Sequence, residues 1–291
     1  MNKNYVQYFQ KQIVQYLENI YGGNFAVKDI VLQYSPLIKG FSGVQGYYDD
    51  EEIYLKKSAG NNIARITRHI MYTPKNTKIN ITERDIRNLS LLFHETCHSW
   101  ATSPYTKTVQ NNYTSMLENF LIEGFTDLFT LQDFPLFLQQ WSARRRVLPF
   151  ENIQNEILYS SGYVIWVLYL NAMIEMAIPD EKARKLFLVK VISGSSTFSD
   201  LCSVLGIKSN IEANNLTKRI QNDIEELHQK AFSLEKREDE NTFWYGLFEE
   251  STVNKLIPEI VQKIYSYYSS INVKNSKSIT KNLPNNKSIV I

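Results

Sequence analysis

Two cysteines, Cys97 and Cys202, are too few for a disulfide framework, so cross-links cannot be what holds this chain together. Charge of one sign is missing as well. The formal net charge is +2 over 291 residues, which leaves no global field to attract nucleic acid or an acidic membrane surface. Long apolar runs are absent too. The most hydrophobic stretch, residues 163–178, is short and carries Asn171 and Glu175, so it reads as a buried helix rather than a membrane span. The first seven residues lack the apolar core of a secretory signal. The expected setting is therefore the cytoplasm, or a host cell reached without a classical signal peptide. No internal repeat is visible. What is present is the 43% hydrophobic content of a globular chain, long enough for one large domain or two small ones.

Apolar spacing supplies the elements. Tyr5, Phe9, Ile13, Leu17 and Ile20 recur at helical steps until Gly22 and Gly23 stop them. Residues 29–34 read as a strand, and residues 43–55 as two strands around an acidic turn at Asp49 to Glu52. Residues 63–72 are rich in β-branched side chains and end at Pro74, which predicts a further strand. Thr82 with Asp85 three residues on predicts a capped helix start. Ile86, Leu89, Phe93, Cys97 and Trp100 then carry a buried stripe to Pro104. Beyond it the chain reads as almost all helix: residues 114–131, 156–178, 180–193, 199–205, 212–238 and 252–270. The Asn-, Lys- and Ser-rich residues 273–291 read as a disordered tail. The implied division is residues 1–105, residues 106–272 and that tail.

Histidine is scarce, with four in the chain, yet two of them stand four apart in His94-Glu95-Thr96-Cys97-His98. On a helix, positions four apart lie on one face, so the two imidazoles can share a metal ion. Glu95 is then placed to act as a base on a metal-bound water. Cys97 is turned about 100° from His98 and reads as a small buried hydrophobe. A catalytic zinc needs a third protein ligand. Glu123 and Asp127 lie among Leu121, Ile122, Phe125, Leu128 and Phe129, and buried carboxylates need partners. Glu123 is the candidate third ligand. Asp127, one turn on, is the candidate acceptor for a ligand histidine's second ring nitrogen. The other histidines read otherwise: His69 as structural in its strand, and His228, beside Glu225 and Glu226, as part of a solvated helix face. Arg144 to Arg146 read as a solvated loop, and Phe243, Trp244, Tyr245 and Phe248 as core.

These residues resemble the gluzincin branch of zinc metallopeptidases, with His-Glu-x-x-His on one helix and Glu-x-x-x-Asp on the next. The likeness extends to the hairpin from Gly43 to Leu55 and to Tyr159-Ser160-Ser161-Gly162, which is similar to a gluzincin helix start; it covers about residues 40 to 170. It implies an α+β, zincin-like fold: a small mixed β-sheet and an active-site helix, followed by a mostly helical C-terminal subdomain. It also implies a Zn2+ cofactor on His94, His98 and Glu123, with Glu95 as base and Tyr159, or alternatively Tyr163, as oxyanion donor. The implied partner is a protein or peptide substrate, held in extended form along an edge strand for which residues 63–72 are the candidate. Size and motif position more loosely resemble Legionella-type effector metalloproteases that cleave actin. The Gly-x-Met-Glu-Asn signature of gluzincin aminopeptidases is missing, which favours an endopeptidase. Two other readings stay open: a catalytically weak binding or regulatory protein on the same fold, and a metal-dependent hydrolase of a non-peptide substrate.

Overall fold

The computed structural model describes residues 2–34, 45–100, 113–142, 150–193, 197–237 and 247–272, apart from 24, 26, 50, 75, 76 and 78. Pro104, Arg144 to Arg146, Phe243 to Tyr245 and the tail from residue 273 lie outside the described residues. The architecture is mostly helical with one small mixed sheet. Helix α1 (Asn2–Tyr21) buries Val6, Phe9, Ile13 and Leu17 at helical spacing. It ends where Gly22 and Gly23 take φ of 72° and 111°. A Cβ on Gly23 would also fall 2.0 Å from Trp100 Nε1, so that position admits no side chain.

Strands β1 (Asp29–Gln33), β2 (Gly46–Asp49) and β3 (Glu52–Lys56) form a sheet in the order β1-β3-β2. β1 runs parallel to β3, and β2 antiparallel to it, through a turn where Glu51 takes φ of 65°. Cross-strand partners Ile30 and Ile53, with Leu55 two residues along β3, put one sheet face into the core. β2 and β1 are the two edges.

β3 leads directly into α2 (Lys57–Tyr72), and this corrects the strand expected over residues 63–72. Ile63, Ile66 and Ile70 do favour strands as residue types. Their spacing of three and four is helical, however, and all three are buried on one face with Ala59, Ala64 and Thr67. Residue type was the weaker signal. The edge expected to hold a substrate is therefore not at residues 63–72.

Helix α3 (Glu83–His98) starts in a full capping box: Asp85 N donates to Thr82 Oγ1 at 3.2 Å, and Thr82 N donates to Asp85 Oδ2 at 3.0 Å. Asp85 is buried and also accepts from Asn62 Nδ2 at 2.7 Å and pairs with Arg65, so α2 and α3 are tied at this end. Helices α4 (Tyr113–Trp141), α5 (Phe150–Ser160), α6 (Val164–Ala177), α7 (Glu181–Ser193), α8 (Thr197–Val204), α9 (Asn210–Glu235) and α10 (Glu250–Asn272) follow. The single helix expected over residues 156–178 is two, α5 and α6, bent by 117° across Ser161 to Tyr163. The Ser161 hydroxyl accepts the Tyr163 backbone N–H at 2.9 Å, which competes with a helical bond, and Gly162 weakens the helix further. α6 is buried continuously from Val164 to Leu170, as its apolar composition requires. No single helix among the described residues is long and apolar enough to cross a membrane. One hydrophobic core joins α1, the sheet and the later helices.

Candidate metal centre

The rotation of α3 is set by its apolar stripe. Phe93 inserts among Phe129, Phe134 and Phe137 of α4, with ring centroids 5.6–6.2 Å apart. Cys97 is fully buried behind it, and burial pushes its thiol pKa well up, so it serves as a small hydrophobe. With that stripe packed, His94 and His98 lie one turn apart on one face, their rings edge-on with centroids 4.6 Å apart. The same aromatic contact orients α4, whose Glu123 and Asp127 are also one turn apart and meet the two histidines. Gly124 lets α4 come close to α6: a Cβ there would fall 2.7 Å from Leu170 Cδ1 and 3.3 Å from Trp166 Cβ.

His94 Nε2 and His98 Nε2 face each other at 2.9 Å. Glu123 closes the group, with Oε2 3.1 Å from His94 Nε2 and Oε1 3.4 Å from His98 Nε2. Among the described residues these three form the one group of His, Cys, Asp or Glu side chains whose donor atoms all lie within 4.8 Å of one another, and it could hold a metal ion. On the far side of His94, Nδ1 lies 2.7 Å from Asp127 Oδ1; the pair is close, with the ring N–H off the line to the carboxylate. The other Asp127 oxygen accepts the Ser161 hydroxyl proton.

Charge follows this geometry. Burial alone would hold the His94 pKa down, but the Asp127 and Glu123 carboxylates outweigh it and raise the pKa well above the ordinary histidine value. Glu123 shows the reverse balance: burial disfavours its charge, and the two imidazoles more than offset that and hold its carboxyl far below the usual range. Glu95 is buried beside the cluster, and burial pushes its pKa up to about 7 against the opposing pull of His94 and His98. Gly46 of β2 is what makes room for it, since a Cβ there would fall 3.3 Å from Glu95 Oε1 and 2.9 Å from Leu55 Cδ2.

The remaining candidates lie elsewhere. Tyr159, at the end of α5, donates its hydroxyl to Asn254 Oδ1 of α10 at 3.1 Å. Tyr163 is half-buried at the start of α6, beside the Ser161 corner. His69 is exposed in the last turn of α2, a helix and not a strand. His228 is not on a solvated face. It is 1% exposed, packed between Phe232 and Phe248, with neither ring nitrogen partnered among the described residues. Sequence reasoning missed three contributors: Ser161, Gly46 and Gly124. All three lay inside stretches already singled out, but nothing local indicates which carboxylate a serine will meet, which strand a helix will face or which helix a glycine will let close. No protein-family model, no curated protein and no solved structure matches the chain.

Proposed function

We propose that the protein is a zinc-dependent endopeptidase of gluzincin type on a zincin-like fold. The observation that carries this reading is the convergence of His94, His98 and Glu123 with the buried carboxylate of Glu95 beside them. The donor set fits zinc. Tetrahedral ligands at about 2.0–2.1 Å from zinc stand about 3.3 Å from each other; the two Nε2 atoms lie 2.9 Å apart, one Glu123 oxygen is 3.1 Å from His94 and the other is 3.4 Å from His98, and one donor atom from each residue lies within 4.8 Å of the others. Two imidazoles and one carboxylate leave the fourth position to water, as catalytic sites require.

Zinc held there supplies a Lewis acid for the scissile carbonyl and a water acidic enough to ionise near neutral pH. Glu95, buried beside the cluster, would take the proton of the attacking water and pass it to the leaving amine. Asp127 holds the His94 ring so that Nε2 points to Glu123 and His98. The substrate strand in this reading pairs with β2, the sheet edge whose Gly46 backs onto Glu95, in place of residues 63–72. Tyr159 would have to exchange its bond to Asn254 for one to the substrate before it could stabilise an oxyanion, and Tyr163 is the alternative. The proposed substrate is a protein, met in the cytoplasm or in a host cell, with actin the first to try.

The test combines metal analysis with mass spectrometry of products from a peptide library and a whole-cell lysate. Wild-type protein should bind equimolar zinc and cleave internal peptide bonds. Glu95→Gln should keep its zinc and lose roughly 10²–10⁴-fold in rate, the usual worth of a general base. Cleavage by that variant at the wild-type rate, or wild-type protein that takes up no zinc, overturns the reading.

A further inference from the structure

A ligand histidine can offer Nε2 to a metal only when its proton sits on Nδ1, and the group facing Nδ1 decides that. For His94 that group is Asp127, whose Oδ1 lies 2.7 Å away. A carboxylate turns easily about its last torsion, where the wells are broad. Asp127 therefore needs an anchor of its own, and the only partner its other oxygen has in the described residues is the hydroxyl of Ser161.

Ser161 is unusually constrained for a serine outside a helix. Its backbone N–H donates to Leu158 O at 3.2 Å, which closes the end of α5. Its Oγ accepts the Tyr163 N–H at 2.9 Å, which opens α6. A hydroxyl has one proton to give. With a lone pair committed to Tyr163, that proton is directed to Asp127 Oδ2. The corner where the chain turns 117° between α5 and α6 is thereby connected to the metal cluster through Ser161, Asp127 and His94 in series. Ser161 is separated from His94 by 67 positions in sequence, so the connection is purely tertiary.

We propose that Ser161 is a positioning residue of the metal centre, fixing Asp127 so that His94 presents Nε2 to the metal. The proposal rests on the metal-binding part of the reading above and not on peptidase activity. The test is zinc affinity of the full chain, measured by competition with a chromophoric chelator. Ser161→Ala should weaken zinc about 10-fold, the lower end of what outer partners of metal ligands contribute. Ser161→Thr should bind as wild type, since it keeps the hydroxyl. Ser161→Cys preserves bulk but is a weak donor; it should fall between the two, and it stands in for Ser161→Ala if the alanine variant does not fold. A corner that matters only for folding would weaken zinc regardless of Asp127. Adding Ser161→Ala to Asp127→Asn separates the two cases, because the double variant should bind zinc no more weakly than Asp127→Asn alone.

Equal affinity of wild type, Ser161→Ala and Ser161→Cys overturns the positioning role while leaving the metal centre intact. The same 10-fold loss in both backgrounds also overturns it. Wild-type protein that binds no zinc removes the metal centre and this proposal together.

Discussion

His94 and His228 are both buried on long helices, at 8% and 1% exposure, and they have opposite surroundings. His94 meets Asp127 on one ring nitrogen, and Glu123 and His98 on the other. His228 meets phenylalanine rings at 5.5 and 6.3 Å and no hydrogen-bond partner among the described residues. Burial disfavours the imidazolium in each. Nothing opposes it at His228, whose pKa falls to about 4, whereas two carboxylates reverse it at His94. The difference teaches that depth alone does not mark a candidate ligand histidine. What marks it is the charge gathered around it, because assembling carboxylates in a low-dielectric interior is costly unless a cation offsets it.

The sharpest way to break this comparison is to remove each kind of histidine. His98→Ala, which takes away a proposed ligand next to His94, should lower zinc affinity by more than the roughly 100-fold upper range of outer-partner losses. His228→Ala should leave zinc content unchanged while lowering Tm through lost packing. Metal analysis after gel filtration reads both, and full zinc occupancy in His98→Ala would sink the ligand assignment.

The next effect is in acid. His228 has a folded pKa of about 4 against an ordinary 6.5, so the unfolded chain binds the proton more readily than the folded one between those values. Its contribution to stability is complete above about pH 6.5 and is lost as pH falls towards about 4. The loss is about 3 kcal/mol, at 1.36 kcal/mol per pKa unit. In His228→Phe that part of the acid limb should flatten, so the stability difference between the two proteins in urea melts should shift by about 3 kcal/mol in favour of the variant between pH 6.5 and 4. Parallel curves would mean that His228 does not titrate in its aromatic box.

A smaller effect lies on the other side of the comparison. Asp127→Asn keeps the shape but removes the charge facing His94 Nδ1, and it should cost about 10–100-fold in zinc affinity without moving the acid limb that belongs to His228. Retained affinity there would show that His94 needs no carboxylate behind it.

His228 was legible in principle. Its sequence neighbours Glu225 and Glu226 are exposed, and they invite the reading of a solvated face. Four residues away on either side lie Ile224 and Phe232, and Ile220, Leu227 and Ala231 continue the same buried stripe. Helical neighbours, not chain neighbours, carried the information. The same lesson applies to α2, where spacing outranked β-branched residue type. The break at Ser161 was partly legible, because Ser160, Ser161 and Gly162 interrupt the apolar pattern; the bond by which the Ser161 hydroxyl accepts the Tyr163 N–H and shapes the corner was not.

The chain alone determined α3. Thr82 and Asp85 start it, the stripe from Ile86 to Cys97 buries one side, and the four-residue step puts His94 and His98 on one face with Glu95 next to them. All of this is set within a few turns of helix, where spacing and geometry are the same thing. The sequence also named Glu123 and Asp127 as candidates; only the tertiary structure decided which ring nitrogen each carboxylate meets, which strand backs onto Glu95 and which hydroxyl holds Asp127. Those choices depend on how Phe93 packs into α4 and on where a 117° corner falls. Contacts between distant segments come from the shapes of packed side chains, which no local pattern encodes.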